Sequence, residues 1–142
     1  MNYLLIGKQN VGKSSIFNIL TGSSYNIVHA ESGTTRDWHQ QLIKDSSSCI
    51  YDTPGVLIND KNIKNIINFS FNKIIEKKIN IFLYVVDYSH GYNQVDHYGI
   101  SKLREYNKKI ILIVNKFDNF NQSPSTDFTK YGINKIIFIS CA

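Results

Sequence analysis

Nine residues near the amino terminus have the types and spacing of a phosphate-binding loop. Gly7 and Gly12 are separated by four residues, and Lys13 and Ser14 follow directly. Glycines allow tight backbone turns that point N–H groups at phosphate oxygens, and a following helix N-terminus adds partial positive charge. Lys13 is expected to reach the β- and γ-phosphates, and the Ser14 hydroxyl to ligate Mg²⁺. The predicted contacts come from Gly7, Lys8, Gln9, Asn10, Val11, Gly12, Lys13, Ser14 and Ser15.

A second motif, NKFD, indicates which base is bound, a question the loop leaves open because kinases, ATPases and GTPases share it. Guanine presents two donors on one edge, N1–H and the 2-amino group, and the Asp118 carboxylate can accept from both. Adenine would leave that carboxylate unpaired. Asn115 is expected to supply an amide to the base and nearby loops, and Lys116 to lie along the base or sugar. The motif therefore favours guanine, and Phe117, which lies between Lys116 and Asp118, is included among the predicted contacts.

The last residues of the chain, Ser140, Cys141 and Ala142, follow an apolar run and complete the predicted base site. A backbone N–H of Cys141 or Ala142 is expected to donate to guanine O6.

The segment DTPGV is expected to lie beside the metal and the γ-phosphate. Asp52 can hold Mg²⁺ through its water shell, and the N–H of Gly55 can approach the γ-phosphate because no side chain intervenes. Val56 stands where Ras-like enzymes have a water-positioning Gln, and valine cannot hydrogen-bond water. The predicted contacts of this segment are Asp52, Thr53, Pro54, Gly55 and Val56.

A threonine pair follows the polar segment Ser23–Gly33, which predicts a loop. Either Thr34 or Thr35 can bring a hydroxyl to Mg²⁺ when the γ-phosphate is present. Loss of that phosphate would release the loop, as in an order–disorder switch.

Short apolar segments alternate with helical patterns, which predicts an α/β fold with a mostly parallel six-stranded sheet and helices on both faces. Each motif falls at the carboxyl end of a strand, where such sheets bind ligands. The predicted strands are Tyr3–Ile6, Trp38–Ile43, Ser48–Tyr51, Ile81–Val86, Lys109–Val114 and Lys135–Ser140. The predicted helices are Lys13–Thr21, with Ile16, Ile19 and Leu20 on one face, Lys61–Lys78, Gln94–Tyr106 and a short one at Pro124–Tyr131.

Composition limits the class of protein. The 142 residues carry a net charge of +5, are 42% hydrophobic and 19% charged, and contain two distant cysteines. This excludes a disordered chain, a disulfide framework and a Cys-based metal site, and fits a phosphate-bearing partner such as a nucleotide or RNA. The longest apolar run is too short to cross a membrane, and a strand begins almost at once, leaving no signal peptide. We therefore expect a cytoplasmic protein with neither a membrane nor DNA as partner.

Five motifs in order resemble those of the Era, EngA/Der and MnmE group of translation-factor-class GTPases: GKQNVGKS, GTTRD, DTPG, NKFD and ISCA. The stretches NIVHAESGTTRD and FLYVVDYSHGYNQVDHYGISKLREY are most similar to the EngA/Der G domain. The resemblance implies a three-layer P-loop NTPase fold and hydrolysis of GTP to GDP and phosphate as a conformational switch. It implies that Thr35 is the switch threonine and Mg²⁺ ligand. It also implies a role in large ribosomal subunit biogenesis, with the ribosomal subunit or RNA as partner.

Members of this group lack the catalytic glutamine and have an apolar residue in its place, which in this chain is Val56. Members with an asparagine in the P-loop, matched by Asn10, place K⁺ near the phosphates, where a cation stabilises the charge developing in the transition state. The resemblance thus implies Mg²⁺ and K⁺ as cofactors. The residues expected to act in hydrolysis are Lys13, Asn10, Thr35 and Gly55.

The resemblance covers one G domain, residues 1–142, whereas EngA/Der proteins have two G domains and an RNA-binding-like domain. The helix that normally follows the last strand is missing, which is expected of a fragment or of a sheet face covered by something else. Two alternatives remain: a GTP-binding scaffold that hydrolyses slowly or not at all, and an Era- or MnmE-like GTPase acting on RNA or tRNA modification. NKFD disfavours an ATP-using kinase. Lys61–Lys78 either contacts RNA or presents a solvated face.

Overall fold

Six strands form one sheet in the computed structural model, which describes residues 1–8, 10–22, 39–52, 74 and 76–141. The sheet has the order β2-β3-β1-β4-β5-β6. Only β2 runs antiparallel, against β3, and the other neighbouring pairs are parallel. The strands are β1 (Asn2–Gly7), β2 (His39–Leu42), β3 (Cys49–Asp52), β4 (Ile81–Asp87), β5 (Lys109–Asn115) and β6 (Lys135–Phe138).

Two α-helices lie entirely within the described part of the chain: α1 (Lys13–Thr21) and α2 (Gln94–Arg104). Ile74 and Glu76 are also helical. Helix α1 has the predicted bounds. It ends at Gly22, where φ is 70° and the N–H donates to the Asn18 carbonyl. Helix α2 ends two residues before the predicted Tyr106, because the chain passes through a turn to Asn107 in the left-handed region, at φ 56°. The predicted helix at Pro124–Tyr131 is a 3-10 helix over Thr126–Tyr131, and a second one covers Tyr88–His90.

The two faces of the sheet are covered by different elements, as the sequence predicts. Strand β4 is buried along its whole length, because both of its edges are paired and its side chains alternate between two cores. On one face its Phe82 and Tyr84 lie in a cluster with Ile100 and Leu103 of α2. On the other face its Leu83 and Val85 lie in a cluster with residues of α1.

The predicted apolar face of α1 is wrong at one residue. Ile16 and Phe17 are buried and Leu20 packs against the core, but Ile19 is 64% exposed. The buried side of the helix is centred on Ile16 and Phe17. Because each residue turns the helix by about 100°, Ile19 lies about 110° from the midpoint between Ile16 and Phe17, outside the buried side.

The ends of the predicted strands match those of the observed strands to within one or two residues. Strand β6 stops at Phe138 instead of Ser140, although Ile139 still donates to the Val114 carbonyl and accepts from the N–H of Phe117. Most of three predicted segments lies outside the described residues: the loop Ser23–Gly33, the loop after Asp52 and the helix Lys61–Lys78.

The register brings three predicted site residues, together with Asp87, to one edge of the sheet. Asp52 pairs with Leu5, two residues before Gly7, and Gly7 pairs with Val85, two residues before Asp87. Asp87 in turn pairs with Asn115. The carboxyl ends of β3, β1, β4 and β5 therefore form one continuous row.

Candidate nucleotide-binding site

The backbone between β1 and α1 has the conformation that the glycine spacing predicts. Asn10 has φ 65° and Gly12 has φ 94°, so two left-handed residues flank the buried Val11. Gly12 immediately precedes α1, whose first hydrogen bond runs from the Ile16 N–H to the Gly12 carbonyl over 3.1 Å. Alternation of this kind makes concavities lined by N–H groups that bind anions.

Both motif glycines are also required by close packing. A Cβ on Gly7 would lie 2.5 Å from the carbonyl oxygen of Val85 on β4, and a Cβ on Gly12 would lie 2.2 Å from Nδ2 of Asn115. The loop is thus enclosed by the ends of β4 and β5, and no larger residue fits at either position without displacing them.

Lys13 and Asp52 interact electrostatically at the N-terminus of α1. Burial lowers the pKa of Lys13 below its usual value, and the negative charge of Asp52 opposes that shift. Asp52 ends β3 and is 1% exposed. The pair presents a lysine and a carboxylate at the position expected for the β,γ-phosphates and the metal.

The oxygen donors nominated for Mg²⁺ have suitable chemistry. Ser14 lies in the first turn of α1, and its hydroxyl, together with the buried Asp52 carboxylate, is a ligand of the hard type that Mg²⁺ prefers. Within the described ranges, no group of three or more His, Cys, Asp or Glu side chains could hold a metal ion. The third nominated ligand, Thr35, lies outside those ranges.

Asn115, at the end of β5, is fully buried and bonds loops rather than presenting a free amide. Its Nδ2 donates to the carbonyls of Val11 and Cys141, each over 2.9 Å, and its Oδ1 accepts from the Cys141 N–H over 2.8 Å. Both amide hydrogens are used within the protein, as expected for its bonds to nearby loops, and a contact between this amide and the base stays a prediction. The Cys141 N–H is used as well, which leaves the Ala142 N–H, outside the described residues, as the predicted donor to guanine O6.

Lys116, which follows β5 directly, contacts the P-loop and the end of β4 through its ammonium group. Its Nζ donates to the Asn10 carbonyl over 2.9 Å and lies 3.2 Å from Oδ2 of Asp87, which ends β4. Burial of Asp87 acts to raise its pKa, but hydrogen bonds from Ser89 and the charge of Lys116 outweigh burial, so the pKa lies below its usual value. The P-loop is thus joined to the end of β5 by a charged group that is itself paired.

Asp118 and Phe117 point in different directions. The Asp118 side chain is exposed and accepts a 2.5 Å hydrogen bond from the Ser140 hydroxyl, so one carboxylate oxygen is oriented by the segment after β6. Phe117 is 4% exposed and packs against the rings of Tyr88 and Phe138. Its side chain belongs to the core, and a contact between Phe117 and the nucleotide stays a prediction.

The structure therefore brings the P-loop, Asp52, NKFD and the Ser140–Cys141 segment together at one edge of the sheet. Lys8, predicted to contact nucleotide, has its Nζ 3.4 Å from Oδ2 of the buried Asp96 on α2. The remaining predicted site residues lie outside the described part of the chain: Gln9, Thr34, Thr35, Thr53, Pro54, Gly55, Val56 and Ala142.

Sequence reasoning missed two buried carboxylates, Asp87 and Asp96. The rule that placed NKFD would have found Asp87, since it also ends an apolar strand beside the P-loop strand. Asp96 carries no such signal. It lies three residues after the α2 cap Asn93, whose Oδ1 accepts from the Asp96 N–H, a position typical of ordinary capping.

Comparison with known families agrees with this geometry. The family described as "50S ribosome-binding GTPase" matches residues 2–116, which include the P-loop and all of β5. The chain belongs to this family of GTPases. Membership confirms the resemblance to GTPases and supports the predicted binding of a guanine nucleotide.

Two GTPase-family relatives carry the same name. GTPase Der of Halothermothrix orenii is 36% identical over 141 residues, covering 96% of this chain and 32% of that protein. GTPase Der of Francisella tularensis subsp. novicida is 32% identical over 148 residues, covering 97% and 30% respectively. The chain thus spans about a third of the length of these relatives.

Solved structures confirm the fold of this GTPase domain. A probable GTP-binding protein engB superposes with a TM-score of 0.73 at 22% identity, covering 99% of this chain and 89% of that one. The FeoB G-domain from Methanococcus jannaschii superposes with a TM-score of 0.62 at 27% identity, covering 98% and 85%. The predicted three-layer P-loop fold is confirmed. In the part of the chain that the structure describes, no helix is long and apolar enough to span a bilayer.

Proposed function

We propose that residues 1–142 form one G domain that binds GTP and hydrolyses it to GDP and phosphate, working as a conformational switch. The observation that supports this most strongly is the pair of connections between the base-reading segment and the P-loop. Asn115 bonds the Val11 carbonyl and Lys116 bonds the Asn10 carbonyl, each over 2.9 Å. A ligand that fits here has a guanine at one end and phosphates at the other.

The chain's own residues have distinct roles in the proposed reaction. The P-loop N–H groups and Lys13 bind the β- and γ-phosphates, and the positive end of α1 favours their charge. Asp118 accepts from guanine N1–H and the 2-amino group, while Ser140 orients it. Ser14, Thr35 and Asp52 would hold Mg²⁺, which when bound supplies positive charge to the phosphates.

Asn10 and Val56 determine how the proposed hydrolysis proceeds. Valine at position 56 offers no hydrogen bond to an attacking water, so positioning falls to the P-loop and to Gly55. Asn10 would hold K⁺, whose charge acts as an arginine finger does in related enzymes. Release of the γ-phosphate then frees Thr35, which is the switch.

The base assignment is tested by calorimetric titration of the folded chain with GDP, GTP and ATP in the presence of Mg²⁺. We expect binding of both guanine nucleotides and none of ATP. Asp118→Asn should shift preference toward xanthosine diphosphate, because an amide can donate to the 2-carbonyl that replaces the 2-amino group. Unchanged GDP affinity in that variant would remove the base-reading argument.

Hydrolysis is tested by single-turnover assays in KCl and in NaCl. A rate stimulated by K⁺ and reduced in Asn10→Ala supports the proposed enzyme. Nucleotide binding without hydrolysis in either salt would instead identify a GTP-binding scaffold.

We further propose a cytoplasmic role in assembly of the large ribosomal subunit, with the subunit or its RNA as partner. The family description and the name Der in its relatives support this, as do the net charge of +5 and two free cysteines. Sedimentation with purified large subunits should depend on a non-hydrolysable GTP analogue and fail with GDP. Equal sedimentation in both states would contradict a switch.

A further inference from the structure

A network of buried polar side chains connects the first residue after Gly7 with helix α2. The Asp96 carboxylate is 1% exposed, yet it accepts from the Tyr84 hydroxyl and from Nδ2 of Asn93, each over 2.9 Å. The Nζ of Lys8 lies 3.4 Å from Oδ2 of Asp96, and the Lys8 side chain is 20% exposed. A P-loop ammonium group is therefore paired with a carboxylate that the core residue Tyr84 and the half-buried Asn93 orient.

The donors around Asp96 hold its carboxyl group in one position. Burial, together with the charge and hydrogen bond of Asp96, raises the pKa of Tyr84 well above its usual range, so the tyrosine remains a donor. The Asn93 side chain both caps α2 at the Asp96 N–H and donates to the Asp96 carboxylate. Hydrogen bonds to an ionised acceptor are about twice as strong as neutral ones.

A contribution to folding stability does not by itself explain why Lys8 and Asp96 form a largely buried ion pair. Removing two charges from water offsets most of their attraction, so buried ion pairs often add little to folding compared with apolar residues of similar size. Their better-supported use is to impose one arrangement on the groups they join.

The P-loop is a segment that needs such a restraint. Asn10 has φ 65°, a left-handed conformation that is uncommon outside glycine, although asparagine adopts it more readily than most residues. On the far side, the Asn10 carbonyl is bonded by Lys116 over 2.9 Å. On the near side, Lys8 is paired with Asp96. The left-handed turn thus lies between two anchored points, one directly after β5 and one on α2.

We propose that Asp96 is a positioning residue for nucleotide binding, which acts through Lys8 to hold the entrance of the P-loop against α2. The loop N–H groups are then arranged before the phosphates arrive, which reduces the ordering that binding would otherwise require. This inference rests on the proposed guanine-nucleotide site.

The test is a double-mutant cycle of Lys8→Met and Asp96→Asn, with the Kd of GDP measured by calorimetry in Mg²⁺ on folded protein. Each single variant should weaken GDP binding about tenfold, and the double variant should be no weaker than the worse single one. Lys8→Arg, which keeps the charge, should restore most of the affinity. The unfolding free energy without nucleotide is measured in parallel, because a merely structural pair would lower it while leaving the Kd of the folded protein unchanged.

Helix α2 supplies a matched control pair. Nζ of Lys102 lies 3.8 Å from Oε2 of Glu105, both side chains are at least a third exposed, and neither contacts the P-loop network described above. Lys102→Met and Glu105→Gln should change the Kd of GDP by less than about twofold.

Three results overturn the inference. The first is wild-type affinity for GDP in both Lys8→Met and Asp96→Asn, and the second is additive losses of affinity in the double variant. The third applies if Asp96→Asn does not fold: Tyr84→Phe then takes its place, and wild-type affinity in both Lys8→Met and Tyr84→Phe overturns the inference. Wild-type protein is titrated first: no GDP binding there refutes the proposed function itself, whereas normal binding with unaffected variants refutes only the role of Asp96.

Discussion

The side-chain amide of Asn115 lies 2.9 Å from the carbonyl oxygen of Val11, a residue 104 positions earlier in the chain. The same side chain exchanges hydrogen bonds with the backbone of Cys141 in both directions. One fully buried residue thus joins the P-loop, the end of β5 and the segment after β6. The two ends of the proposed ligand site depend on each other through it.

Asn115→Ala should therefore destabilise the nucleotide-free protein. The change removes three hydrogen bonds and leaves backbone groups of Val11 and Cys141 without these partners, so we expect a loss of about 3 kcal/mol in the free energy of unfolding. Urea denaturation measures it. Asn134→Ala, at an exposed position, is the control, and a loss from Asn115→Ala as small as the control's would contradict the argument.

Gly12→Ala should be much more harmful than Gly22→Ala, although both glycines are left-handed and flank the same helix. At Gly22 the nearest atom to an added Cβ is 3.5 Å away, on the flexible Lys44 side chain, whereas at Gly12 it is Nδ2 of Asn115 at 2.2 Å. Backbone strain alone costs about 1–2 kcal/mol at each. Thermal and urea unfolding of both variants should show a clearly larger loss at Gly12, accompanied by weaker GDP binding. Equal losses would mean that crowding at Gly12 is relieved at no cost.

Ser140→Ala should weaken guanine-nucleotide binding without unfolding the domain. The Ser140 hydroxyl orients one oxygen of Asp118 from an exposed position, so its loss is expected to reduce GDP affinity by about fivefold, the equivalent of one hydrogen bond. Fluorescence titration with a labelled GDP measures the effect. Ser101→Ala on α2, which removes an exposed hydroxyl bonded to the His97 carbonyl, should leave affinity unchanged. The prediction fails if the two variants behave alike.

Asp87 should make stability depend on pH in the acid range. Its pKa is lowered from 3.8 in the folded protein, so the native state binds the proton less readily than the unfolded chain does. Its contribution is therefore fully present above about 3.8 and is lost as pH falls toward the lowered pKa. The groups that face this carboxylate are Ser89, Lys116 and, at 3.9 Å, His90.

Asp87→Asn isolates this effect. We expect the variant to be less stable than the wild type at pH 7, with the difference shrinking as pH falls through and below 3.8, as measured by urea unfolding at a series of pH values. Asp127→Asn, in the exposed pair with Lys130, is the control. A difference between wild type and Asp87→Asn that stays constant with pH would show that Asp87 does not titrate as described.

The local elements of this fold were predictable because their signals are local. Helix α1 begins at the motif lysine, Lys13, and ends before Gly22, and its bounds were predicted to the residue. The apolar runs of β4 and β5 need both faces covered, and that alone indicated a parallel sheet with helices on each side. Ile19 was assigned to the wrong face of α1. A single apolar residue does not define the buried face of a helix, which here is set by Ile16 and Phe17 together.

The roles of Asn115 and Lys8 were not predictable in the same way. The NKFD motif indicated that Asn115 belongs to the site and bonds nearby loops, but not that its partners are Val11 and Cys141. A glycine-rich loop indicated that Lys8 lies near phosphates, but its pairing with Asp96 joins positions 88 residues apart. The partners of Asn115 and Lys8 cannot be predicted from spacing in the sequence, because the connections between parallel strands bring these distant residues together.

The amino-acid sequence by itself determined the class of ligand and the edge of the sheet at which it is proposed to bind. Backbone turns, helix starts and apolar strands depend on residues within a few positions of one another, so the motifs and the strand ends follow from the chain directly. Only the tertiary structure decided which side chains hold those motifs in place: Asn115 between the P-loop and the end of the chain, Lys116 with Asp87, and Lys8 with Asp96. Hydrogen bonds and buried ion pairs act over about 3 Å, and folding alone places such distant residues at that range.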